Sequence, residues 1–108
     1  MSQDVLLVCS TFPEIATARR IAHELVTENL AACVNLVPTV ESIYRWQGKV
    51  ENASEVLGFF KTTVSRYPAF EDRLKGLHPY DVPEILCLRI ENGLREYLDW
   101  VRTSCLIE

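Results

Sequence analysis

Cys33-Val34-Asn35-Leu36-Val37-Pro38-Thr39-Val40-Glu41-Ser42-Ile43-Tyr44-Arg45-Trp46 runs out to Gln47-Gly48 and returns as Lys49-Val50-Glu51-Asn52-Ala53-Ser54-Glu55-Val56-Leu57-Gly58-Phe59-Phe60-Lys61-Thr62-Thr63. The outgoing arm places Val34, Leu36, Val40, Tyr44 and Trp46 at even positions. Alternation of β-branched and aromatic residues with period two is the pattern of a strand. Gly48 supplies the positive φ of a tight hairpin turn. An arm of this length, at about 3.3 Å per residue, spans roughly 50 Å. A compact chain of this size has a radius of gyration of about 13 Å and a diameter near 34 Å, so the hairpin overhangs its own domain or bends. Pro38 lacks an N–H and marks an edge, a bulge or a bend. An exposed arm carrying Val40, Tyr44, Trp46 and Val50 is an aggregation hazard unless covered, and another subunit is the expected cover.

Outward from the hairpin, Val5 to Cys9 is a short apolar run suited to a buried strand. Thr11, with Glu14 three residues on, reads as a capping box, and Pro13 as a first-turn residue of the helix. Ile15, Ala18, Ala22, Leu25 and Val26 form its apolar stripe, and Asn29 its left-handed end. Thr63 and Ser65 offer caps for a second helix with Pro68 in its first turn. Tyr67, Phe70, Leu74 and Leu77 make that stripe, and His78-Pro79 stops it. Glu84 to Ile90 reads as the last strand. Asn92-Gly93 turns into a short helix marked by Tyr97, Leu98 and Val101. The order is β-α-β-β-α-β plus one helix, an α+β, ferredoxin-like sandwich in a single domain over residues 1–108.

The chain of 108 residues carries a net charge of −4, which opposes nucleic-acid binding. Arg19-Arg20 is its one basic pair and falls on a helix surface. No apolar run is long enough to span a bilayer and no basic leader precedes one, so a cytoplasmic location is expected. The four cysteines fit no zinc framework and are read as free thiols, Cys33 and Cys87 as small core residues and Cys105 as inert. There is no phosphate-cradling glycine loop.

Two positions stand out chemically. Cys9 lies where the first strand hands over to a helix, whose N-terminus favours a thiolate. His78 opens the stiff loop His78-Pro79-Tyr80-Asp81-Val82-Pro83-Glu84. His23, mid-helix, is read as structural or solvent-facing. Lys61, inside an apolar strand, needs a partner, and Glu84 is the candidate.

Leu30-Ala31-Ala32-Cys33-Val34-Asn35, Ser42 to Lys49, Lys61-Thr62-Thr63 and His78 to Glu84 together resemble the CutA family of divalent-cation tolerance proteins. The resemblance runs from Val5 to about Trp100. It implies a ferredoxin-like domain in a homotrimer, similar to the PII signalling proteins, with long hairpins added to neighbouring sheets. It implies binding of copper or other divalent cations and a response to metal ions without catalysis. The ligands it implies are Cys9 and His78. Leu77 stands where the family has the first of two histidines, and Glu84 is the further ligand to look for. An alternative is a PII-like sensor of small anionic molecules, with Trp46, Lys61 and Tyr80 in clefts between subunits. A third is an enzyme with Cys9 as nucleophile and His78 as base.

Overall fold

The structure, a computed structural model, describes residues 4–106. Its elements are β1 (Val5–Phe12), α1 (Ile15–Thr27), β2 (Cys33–Trp46), β3 (Lys49–Thr63), α2 (Tyr67–Leu77), β4 (Leu86–Arg89) and α3 (Arg95–Ser104). The four strands form one antiparallel sheet in the order β2-β3-β1-β4. This is the expected ferredoxin-like arrangement, with the α3 addition.

Strand alternation divides the sheet into two faces. Val8 and Phe12 of β1, Val56 and Phe60 of β3, and Val34 and Leu36 of β2 share one face. They pack against Ala18, Ile21 and Leu25 of α1 and Phe70 and Leu74 of α2. Phe60 meets Phe70 edge-on, with ring centroids 5.3 Å apart. The other face carries Val5, Leu7, Cys9 and Thr11 of β1. At its Val5 end it is covered by Val101 and Cys105, from α3 and the residue after it. Gly58 lies on the helix-covered face where a Cβ would come within 2.9 Å of the Phe60 ring and 3.2 Å of the Phe12 ring.

The hairpin is as long as its sequence suggests. Trp46 pairs with Lys49, so the loop is Gln47-Gly48 alone. Both residues have positive φ, 50° and 80°, the type I′ geometry that matches strand twist. Four residues of β2, Val37 to Val40, face three of β3, Leu57 to Glu55, so a one-residue bulge falls at Pro38-Thr39. Full burial on β3 begins only at Val56. The outer half of the hairpin therefore leaves the core, and the molecule measures 44 × 26 × 22 Å.

Several local expectations are corrected. Thr11 is a β1 residue paired with Leu57, not a helix cap. The α1 N-cap is Glu14, without a side-chain cap bond, and Pro13 precedes the helix. Thr63 ends β3, and α2 starts after Arg66, again without a side-chain cap bond. In both places pairing with a neighbouring strand claims the threonine first. The last strand is shorter than read, because Glu84 and Ile85 have no β1 partner. Cys33 is half-buried and Cys87 exposed, so neither is a core residue. Asn29 does end α1 in the left-handed region, at φ 59°. The Asn29 N–H donates to Val26 O and the Leu30 N–H to Leu25 O, the paired bonds of a Schellman motif.

Candidate functional site

His78 ends α2, because Pro79 forces it out of helical conformation, to ψ 136°. Its ring stacks on Phe12 at a centroid distance of 4.9 Å and is 7% exposed. The Tyr80 N–H lies 3.1 Å from Nδ1. A backbone N–H can only donate, so Nδ1 is the acceptor and the proton sits on Nε2. Nε2 then donates to the carbonyl of Thr11 at 2.7 Å. Burial pushes the imidazole pKa down, against smaller upward contributions from the Thr11 carbonyl and Glu55. His78 is a neutral ring with both nitrogens committed to the backbone.

Tyr80 follows in the same loop and donates from its hydroxyl to Glu55 Oε2 at 2.7 Å. Burial and this carboxylate both raise its pKa. The contact ties the loop to β3 at the residue opposite Val40, beside the bulge. Glu55 is a partner that sequence reading missed. Its signal was weak, a single acidic residue within a long polar arm.

Cys9 is not at a helix N-terminus. It lies inside β1, between Phe59 of β3 and Leu86 of β4. Its thiol pKa is raised, first by burial and then by the Glu84 carboxylate. The structure thus brings Cys9 and Glu84 within electrostatic range. His78 is on the other side of the sheet, since it stacks on Phe12, and Cys9 alternates to the opposite face. Cys9 and His78 are therefore not a nucleophile–base pair within one chain.

Lys61 does not reach for Glu84. Its ammonium donates to Asn35 Oδ1 and lies 3.5 Å from Cys33 Sγ, both on the adjoining β2. Tyr97 of α3 closes the group, with its hydroxyl 3.2 Å from the same sulfur. Trp46 sits at the hairpin tip and is 56% exposed. It is twelve β3 positions from Lys61, about 40 Å along the strand, so Trp46, Lys61 and Tyr80 form no cleft within one chain. Val40 is half-buried, while Tyr44 and Val50 are exposed.

For a metal, a single chain offers an incomplete set. Among the described residues, no group of three or more His, Cys, Asp or Glu side chains is placed to hold an ion. Cys9 and Glu84 supply one soft and one hard donor, and His78 has no free nitrogen to add. Cys9, His78 and Glu84 of one chain therefore do not fit a copper centre. Among the described residues no helix is long and apolar enough to cross a membrane.

Residues 6–104 match the family described as CutA1 divalent ion tolerance protein. The divalent-cation tolerance protein CutA of Thermus thermophilus is 53% identical over 102 residues, 94% of this chain and 97% of that protein. The human protein CutA is 48% identical over 92 residues, 85% of this chain, which spans about half of the human protein. The crystal structure of CutA from Xylella fastidiosa superposes with a TM-score of 0.92 at 43% identity, covering 94% of this chain and 98% of that one. A structure from Archaeoglobus fulgidus, 35% identical with a TM-score of 0.91 over 94% of this chain and 99% of that one, is described as a periplasmic divalent cation tolerance protein. These matches agree with the four motifs and with the strand order, and the chain belongs to the CutA1 family of divalent ion tolerance proteins.

Proposed function

We propose that this chain acts, as a homotrimer, in the response to copper or other divalent cations, by binding rather than by catalysis. Membership of the divalent ion tolerance family carries the reading. The nearness of Cys9 and Glu84 supports a place for the donors. In this reading Cys9 and Glu84 would be one incomplete half of a site on the sheet face opposite α1 and α2. Cu(I) accepts a soft thiolate at low coordination number, and a neighbouring chain would bring the remaining donor. His78 holds the loop that delivers Glu84 and is not itself a ligand. Four free thiols support a reducing, cytoplasmic setting. Residues 1–108 work as one domain.

The test is a Cu(I) competition titration on the native protein, Cys9→Ser and His78→Gln under reducing conditions, because the glutamine amide keeps a donor and an acceptor for the loop. Whole-number stoichiometry that is lost in Cys9→Ser and retained in His78→Gln supports the reading. Equal loss in both variants means that His78 is a ligand after all. Binding unchanged in Cys9→Ser removes Cys9 from the site.

A further inference from the structure

Cys33 lies outside the donor set just described, at the first residue of β2. Its register partner on β3 is Lys61. The Lys61 ammonium stands 3.5 Å from Sγ and is held in place by Asn35 Oδ1. An ammonium has no acceptor capacity, so it can only donate toward sulfur. On the other side, Tyr97 Oη lies 3.2 Å from the same sulfur. The Cys33 contact is the main cause that pushes the Tyr97 phenol up to about 12, so it keeps its proton. Cys33 is half-buried, and its sulfur is flanked by an ammonium and a phenol fixed to two other elements.

Of the other three, Cys105 has the Thr62 hydroxyl, the Ala32 N–H and the Arg66 charge around it but is closed off from solvent. Burial pushes up the thiols of Cys9, Cys87 and Cys105. Cys105 is enclosed at 2% exposure, and Cys9 faces the Glu84 carboxylate. Cys87 is the most open of the four.

We propose that Cys33 is a site of oxidation by hydroperoxides, with Lys61 and Tyr97 as the groups that stabilise the leaving oxygen. Sγ attacks the terminal oxygen of ROOH, the S–O bond forms and the O–O bond breaks. Sulfur loses two electrons and becomes the sulfenic acid. The hydroperoxide is reduced to ROH, or to water from hydrogen peroxide, and the thiol proton ends on that departing oxygen. The ammonium and the phenol beside the sulfur are the nearby groups that can donate to the charge developing on the departing oxygen.

The native assembled protein is treated with substoichiometric hydrogen peroxide. The free thiol remaining at each cysteine is read by alkylation and peptide mass spectrometry, with dimedone trapping to identify the sulfenic acid. We expect Cys33 to be lost about tenfold faster than Cys87, although Cys87 is the more exposed. In Lys61→Met and in Tyr97→Phe, which keeps the ring, the Cys33 rate falls toward that of Cys87, in protein whose thermal unfolding shows a folded state. Cys87 reacting as fast as Cys33, or a Cys33 rate unmoved by both substitutions, overturns the assignment.

Discussion

Both ring nitrogens of His78 are occupied by the chain itself, and the consequences are measurable. His78→Ala strands the Tyr80 N–H and the Thr11 carbonyl and empties the stack on Phe12. Denaturant unfolding should show a loss of about 2–4 kcal/mol. The folded pKa lies below the unfolded value of about 6.5, so the unfolded chain takes up the proton first. Stability contributed by the neutral ring is complete above pH 6.5 and declines as pH falls below it. His78→Gln, whose amide keeps a donor and an acceptor, should flatten that decline, and a slope identical to the native one would show that His78 is not its source. At Gly58, Ala would press a methyl into two rings that are fully buried. We expect Gly58→Ala to cost about 1–3 kcal/mol in thermal or chemical unfolding. Residue types alone singled out His78 and Tyr80. They could not reveal that the imidazole serves the backbone, because its partners are a carbonyl 67 positions away and an amide two positions on. Lys61 was legible as needing a partner. That the partners are Asn35 and Cys33 followed only from the β2–β3 register.

The hairpin is the element whose length and turn were written plainly in its sequence. Alternation over the outgoing arm, Gly48 at the turn and Pro38 at the interruption correspond to a two-residue loop and a bulge. Gln47, at φ 50°, is the residue least suited to its place, since a side chain in the left-handed region is strained. Gln47→Asn should stabilise the hairpin by about 0.5–1 kcal/mol, read as a raised unfolding midpoint with unchanged denaturant dependence. A lowered midpoint would show that Gln47 makes a compensating contact in the assembly. The helix starts were less legible. Thr11 and Thr63 have cap-forming side chains, yet β1 and β3 extend through both, and strand pairing satisfies their backbones before a helix can use them. The end of α1 was legible because Asn29 is one of the few residues at ease in the left-handed region.

At the scale of the molecule, the sheet is larger than the helices that cover it. Ile43, Tyr44, Trp46 and Val50 on the outer hairpin are 40–68% exposed. Leu86 and Leu88 lie on the sheet face opposite α1 and α2, and each is more than half exposed. Apolar surface of this extent is what the proposed homotrimer would cover, and the outer edge of β2 is open to a further strand. Shortening the hairpin by replacing 41–54 with a two-residue Asn-Gly turn would leave every residue of the main core in place. We expect the shortened chain to fold less stably and to lose assembly, which size-exclusion chromatography would register directly. The sequence showed the overhang and pointed to another subunit as its cover, but not to the residues that pair with the edge, because those lie outside a single chain. The measurement that bears most directly on the whole reading is the mass in solution, by light scattering or sedimentation equilibrium. A homotrimer requires three times the 12.4 kDa of one chain, stable on dilution to the low-micromolar range. A monomer mass under those conditions would contradict it, and with it any metal site completed by a neighbouring chain.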